Sequence, residues 1–534
     1  MDSGLQFDFS FAAGTSSEQM LAFEIAGMMW SDYITDDMTV NIHVEMTDEL
    51  PENVIGGALP AVVANHDYGE FLDAYQADIT SWKDEQSFSG ISHVQQNGID
   101  QFQAAVDLGA ENFLKSSSTL NMTRANAKGL GLVNGNSQEL DGYILMNDLS
   151  GSSMNWGNYL TWSNDSNTLD FLSVAVHEVG HVLGFVSGVD KSDGLSFETQ
   201  AEMDAHFNSS SQTADEYTQS LVEYATPMDM FRYSLDSLYR VTDGAIDMSV
   251  GSEAYFGKGL NFQFARGKRN NYLGDGFQAS HWRQRDDEYN VQGIMDPLLR
   301  SGAVRRISNR DLKAMDAIGF DISLTGRNLI QVGKYSGNYL AKDFQQHIGG
   351  FELEAKNKLA QKLYADGLVA STHWWSYDQD AYFSGNVANK EQDVQEMIEN
   401  SQVYEGRRSR SGRKYSRQEA FWQSAYFSEF FWQELDSETA TNNESPIVSI
   451  VESHYSSFIS EGINTDFSSS SNQIQTAHNQ SQSRDSIDDV TMNLLVIAET
   501  EEVNPSSAQA DAQLLTESSL YRELVQSELE VTLV

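Results

Sequence analysis

One stretch constrains the chain before anything else is considered: VAVHEVGHVLGF, residues 174–185. Histidines four positions apart lie on one face of a helix, roughly 5–6 Å apart at Cβ, so His177 and His181 can reach a single metal ion. Their imidazoles are neutral near pH 7, and neutral imidazole is a common zinc donor. Glu178 is rotated about the helix from both. It is therefore placed to stand beside such an ion and take a proton from water rather than to bind the ion itself. Leu172, Val176, Val179 and Leu183 form an adjacent apolar stripe. The helix is expected to start near Asn167 or Thr168, with Asp170 in its first turn, where a negative charge suits the helix dipole. Gly184 can take the left-handed conformation that ends it.

Two histidines leave a metal short of one protein ligand. Ser187 stands where a third histidine would follow most economically, and a neutral hydroxyl is a poor zinc donor. Nearby alternatives are Asp190, Glu198, Glu202 and His206, and a glutamate on a following helix would be the thermolysin-like pattern. A distant alternative is His281, in the stretch GDGFQASHWRQRDDEYNVQGIMDP, with Met295 fourteen residues beyond it. His281 and Asp190 are the leading choices, because imidazole and carboxylate are both accepted donors.

H-E-x-x-H is the short signature of zinc peptidases. HEVGHVLGF followed much later by SHW and then by a Gly-Ile-Met-Asp-Pro turn resembles the metzincin metallopeptidases. Within them it is most similar to the leishmanolysin-like branch, including bacterial and cyanobacterial secreted enzymes, which inserts a long segment before the third histidine. The resemblance covers residues 1–320. It implies Zn2+ held by His177, His181 and His281, Glu178 as general base, Met295 beneath the metal, and Gly184 as the turn ending the helix. It implies an α+β catalytic domain: a mixed sheet with an active-site helix, a methionine turn and a C-terminal helix. An edge strand beside the cleft, Tyr143–Asn147 by position, would align an extended peptide, since an open strand edge is ready-made for backbone pairing. The chain departs from the pattern at Ser187 and at Pro297, where a tyrosine able to stabilise the transition state would otherwise stand. The expected function is a secreted zinc endopeptidase acting on protein or peptide. The alternatives are a non-catalytic metal-binding extracellular or surface protein that retains the fold, which the intact Glu178 counts against, and a zinc hydrolase of another class.

At 534 residues the chain is expected to hold more than one domain. The first is expected to span 1–320, with 191–280 as the insertion before the third ligand. A mainly helical accessory region, 321–435, and a polar, acidic, partly flexible tail, 436–534, would follow. Within the first domain, Thr15 and Glu18 suggest a capping box ahead of a helix. Val40, Ile42, Val44 and Met46 alternate as in a half-buried strand, which puts His43 on the polar face. DGYILMNDL, residues 141–149, reads as a second strand, and Ser308 with Asp311 can cap a helix that stops at Gly319. Beyond 320, residues 351–371, 388–400 and 416–435 read as helical, and no repeat is evident.

The charge, 33 basic against 78 acidic residues for a net −45, argues against nucleic acid as the partner. It suits a solvated acidic surface. No cysteine is present, which excludes disulfides and thiolate metal sites. No signal-peptide pattern opens the chain, no apolar run is long enough to span a membrane, and oligomeric state is not legible. GDG at 274–276 and NDSN at 164–167 are oxygen-rich loops that could hold Ca2+, although turn formation explains them equally well. Arg232, in PMDMFRYS, reads as a structural ion-pair partner in a segment that can wall the cleft. The aromatic stretch 419–435 reads as a core helix, with a membrane-surface or glycan-binding role as the rival. The basic cluster 405–417 reads as a solvated loop that could also be a processing site.

Overall fold

Strand β1 (Gln6–Phe11) points Phe7, Phe9 and Phe11 to one buried face. The computed structural model to which it belongs describes residues 4–323 (without 52, 151, 158–166, 193–194, 241–243, 268–273 and 285–291), 338–365, 390–401 and 426–433. Helix α1 (Ser17–Ser31) follows, and its capping box lies one residue later than expected. Ser16 Oγ accepts from the Gln19 amide, and Gln19 Oε1 accepts from the Ser16 amide. Thr15 is buried instead, its hydroxyl donating to Ala12 O.

The remaining elements that build the site are strands β2 (Thr39–Thr47), β3 (Val54–Pro60) and β4 (Gly142–Asn147), then helix α2 (Phe171–Leu183) with the metal motif. After these come β5 (Leu298–Arg300), α3 (Asn309–Ala317), α4 (Asn338–Ala365), α5 (Glu391–Asn400) and β6 (Ser428–Gln433). The fold is mixed α+β. Six strands form one mixed sheet in the order β1-β2-β4-β3-β6-β5. Pairs β1/β2, β2/β4 and β5/β6 are parallel, while β4/β3 and β3/β6 are antiparallel. Helices α1 and α2 cover one face in the main core, and Trp30 of α1 donates its indole N–H to Val176 O of α2 at 2.9 Å.

Three expectations change here. Tyr143–Asn147 is not an edge strand, because β4 lies between β2 and β3. His43 is buried rather than exposed: it stacks on Tyr143 and its Nδ1 meets Ser10 Oγ at 2.9 Å. The polar-face reading failed because the second face of the sheet is covered as well. Val394, Met397 and Ile398 of α5 join Leu140, Tyr143, Phe427 and Phe431 in a separate apolar cluster there. The third change follows from the second. Phe320 is no domain boundary, since one compact unit runs from Met1 to Phe458, and the other, Ile459–Val534, lies outside the described residues. Lys358 of α4 donates to Phe7 O and pairs with Glu24 at 2.7 Å, tying the later chain to β1 and α1. Ser401, which ends α5, accepts from the Val62 amide.

Where α3 ends, four carboxyls sit close together: Asp36, Asp78, Asp316 and Asp321. Asp36 accepts from the Asp321 amide at 2.9 Å. Burial, reinforced by Asp321 and Asp78, raises Asp36 to about 7, and burial raises the less enclosed Asp78 to about 7 and Asp316 to about 6. A carboxyl whose folded pKa lies above its unfolded one stabilises the fold in its protonated form. That stability is full below the unfolded value near 3.8 and is lost as pH rises through about 7. The Asp36→Asn protein should therefore melt several degrees above wild type at pH 8 and together with it at pH 4. Equal melting shifts at both pH values would show that Asp36 does not set this slope.

Candidate metal centre

Helix α2 starts one turn later than expected. Asp170 is its N-cap, accepting from the Ser173 amide at 2.9 Å, and Thr168–Asp170 forms a short strand. Gly184 ends the helix at φ +146°, a conformation that favours glycine. That turn brings Phe185 O back to within 2.7 Å of His181 Nδ1. Ile294 O, in the methionine turn, lies 2.6 Å from His177 Nδ1, and Gln278 O lies 3.2 Å from His281 Nδ1. A carbonyl oxygen can only accept, so each Nδ1 carries the proton and each Nε2 keeps its lone pair.

Those three Nε2 atoms converge. His177 and His181 are 3.0 Å apart there, His181 and His281 3.2 Å, and His177 and His281 3.3 Å. Nitrogens on a tetrahedral ion at the usual zinc distance stand about 3.3–3.4 Å apart, so the spacing fits with little adjustment. No proton is available to bond these atoms to one another, and a cation placed among them would satisfy all three lone pairs together. Burial also keeps His177 and His181 neutral: it drives His177 well down, aided by its two neighbours, and lowers His181 to about 4. Among the described residues these three histidines are the one group of potential metal-binding side chains brought together.

Glu178 is fully buried, and neither carboxylate oxygen has a hydrogen-bond partner among the described residues. Burial pushes its pKa well up. The carboxylate fits because Gly56 of β3 faces it: a β-carbon there would stand 2.6 Å from Oε1. Met295 is buried beneath the helix, with Sδ 2.5 Å from where a Gly180 β-carbon would be. The turn around Met295 hangs on Asp311 of α3, which accepts from the amides of Ser308, Ile294 and Met295 and from the Trp282 indole. One carboxylate thus caps α3 and aligns the carbonyl that orients His177. Its capping role was visible in the sequence, its reach to the methionine turn was not.

Asp190 is not in the histidine cluster. It accepts from the amides of Ala279 and Ser280 and from Ser280 Oγ, at 2.6, 3.0 and 2.5 Å, and so holds the loop that presents His281. Ser187 belongs to the same framework: its amide donates to Ser280 Oγ, and its hydroxyl donates to buried Asp229 at 2.5 Å. Asp229, in the PMDMFRYS segment, also receives the Gly188 amide at 2.8 Å. Glu198, Glu202 and His206 are exposed and stand apart from the cluster. Arg232 is buried, stacks on Phe264 and donates to Ala265 O, with Asp247, Asp229, Asp190 and Asp275 offsetting its charge. Asp275 in the GDG loop accepts from the Arg266 and Phe277 amides, which is turn chemistry. The NDSN loop, apart from Asn167, and the basic cluster 405–417 lie outside the described residues.

The aromatic stretch departs most from expectation. Its described part ends in strand β6 and not in a helix, and the Phe430 ring lies flat on His177, centroids 3.8 Å apart and planes 5° apart. No protein-family model matches the chain, and neither the curated proteins nor the solved structures provide a significant match. No helix among the described residues is long and apolar enough to cross a membrane.

Proposed function

We propose that this chain is a zinc-dependent endopeptidase of the metzincin type, closest in motif order to the leishmanolysin-like branch and working outside the cell. One observation carries the reading: three buried imidazole lone pairs converge next to a buried carboxyl group that has no hydrogen-bond partner among the described residues. A structural metal site needs ligands and orienting hydrogen bonds, and these histidines have both; it does not need an unpartnered acid. Zinc in this site would polarise a peptide carbonyl and acidify water. Glu178 would take the proton from that water and pass it to the departing amine. Met295 and Asp311 would keep His177 in place, and Asp190 would do the same for His281.

The zinc-loaded chain should cleave denatured casein, stop when a chelator is added and resume when zinc is restored. The enclosure of the site by Phe430 favours a second reading, a non-catalytic metal-binding protein. Zinc bound with no cleavage of any unfolded protein, even after the covering strand is released, would select it.

A further inference from the structure

We propose that β6 is an internal blocking strand that occupies the peptide seat of the metal site, with Phe430 as its plug, and that substrate enters only when the strand withdraws. The occlusion stands on geometry alone; that a substrate takes the vacated seat rests on the peptidase reading.

Without β6, strands β3 and β5 would face each other across a gap with open edges, one above α2's motif and one just after the methionine turn. β6 fills that gap, antiparallel to β3 and parallel to β5. Main-chain pairing of this kind accepts any extended peptide, so the seat is generic in backbone and selective in side chains. The side chains it holds are aromatic. In the β3 pairing Phe430 is opposite Gly56, the residue that leaves room for Glu178. Phe427 lies against Gly57, where a β-carbon would stand 2.5 Å from its ring, and Phe431 meets Phe277 with centroids 6.2 Å apart.

The strand is also gripped from the loop that carries His281. Gln278 donates from Nε2 to Phe427 O and accepts at Oε1 from the Glu429 amide, both at 2.6 Å. The Phe431 amide donates to Pro297 O, two residues past Met295, at 3.1 Å. Tyr426 fixes the entry, donating to Tyr224 O at 2.6 Å. The pairing with β3 breaks register between Phe430 and Phe431, at the point nearest the metal ligands. A slipped register pairs fewer groups there and favours release from that point. One side chain thus stands against both groups that would do the chemistry, His177 by stacking and Glu178 through its neighbour Gly56.

The test uses the zinc-loaded full chain and follows zinc removal by a coloured chelator in wild type, Phe430→Ala and Gln278→Ala. Gln278→Ala deletes two hydrogen bonds to β6, so zinc removal should quicken by about tenfold or more, and Phe430→Ala should match or exceed it. A peptide of sequence YFSEFFWQ added to Phe430→Ala should slow removal again. Casein cleavage should rise in both variants. Unchanged zinc removal in both variants, or a wild type that already cuts casein as fast as they do, would overturn the proposal. Faster zinc removal without any cleavage would keep the occlusion and sink the peptidase reading. Should Phe430→Ala not fold, amide exchange in wild type decides: β6 must open well below the global unfolding free energy, and exchange only by global unfolding refutes withdrawal.

Discussion

The His281→Ala protein is expected to lose zinc affinity by about 100- to 1,000-fold. Complete four-ligand zinc sites are worth about 10–16 kcal/mol, so one ligand carries about 2.5–4 kcal/mol. The other two histidines keep their orienting carbonyls, Ile294 O and Phe185 O, and neither depends on His281. Metal-free stability should therefore change little. Asp190→Ala is the necessary contrast. It removes the acceptor for two amides and one hydroxyl in the loop 279–280, so His281 loses its fixed approach while remaining present. Affinity should fall by about 10–100-fold, as for other groups that orient metal ligands, and the metal-free protein should melt lower, because buried donors are left unpaired. Isothermal titration with zinc and melting of both metal-free proteins separate the roles. Wild-type affinity in His281→Ala together with loss of zinc in Asp190→Ala would make Asp190 the ligand.

That contrast marks where the sequence stops being informative. Asp190 and His281 were both credible ligands by chemistry, and spacing along the chain could not choose between them. What chooses is a loop 89 to 90 residues away that Asp190 clamps onto the metal side of α2. Local features were legible because their causes are local. Gly184 ends α2, Ser308 and Asp311 cap α3, and alternation at Val40 to Val44 makes a strand. The burial of His43 was not legible, since the cover on that face comes from α5, far along the chain. The same distance hid β6. YFSEFFWQ is rich in residues that suit strands, yet aromatics at these spacings serve a core helix as well. Pairing partners in β3 and β5 decide the matter, and only the folded chain brings them together. β1 was readable in principle, because Phe7, Phe9 and Phe11 alternate strictly.

The last consequence concerns Glu178 and is best measured in the Phe430→Ala background, where the covering ring does not mask turnover. Glu178→Gln should keep zinc at wild-type affinity, because Glu178 is outside the histidine cluster. Casein cleavage should fall by about 100- to 10,000-fold, the usual contribution of a positioned general base. The amide cannot take the proton from water, although it matches the carboxylate in shape and keeps the contact with Gly56. A second readout needs no substrate. In the metal-free protein the Glu178 carboxyl is buried with both oxygens unpartnered among the described residues, and burial disfavours its ionised form, so an amide that never ionises should raise the melting temperature at neutral pH. A merely structural acid, held by hydrogen bonds, would show the opposite sign. Retained cleavage would remove Glu178 from the proton transfer, whereas lost zinc would make it a ligand. Higher thermal stability together with lost turnover is the signature of a group kept at a cost to the fold for the chemistry it performs.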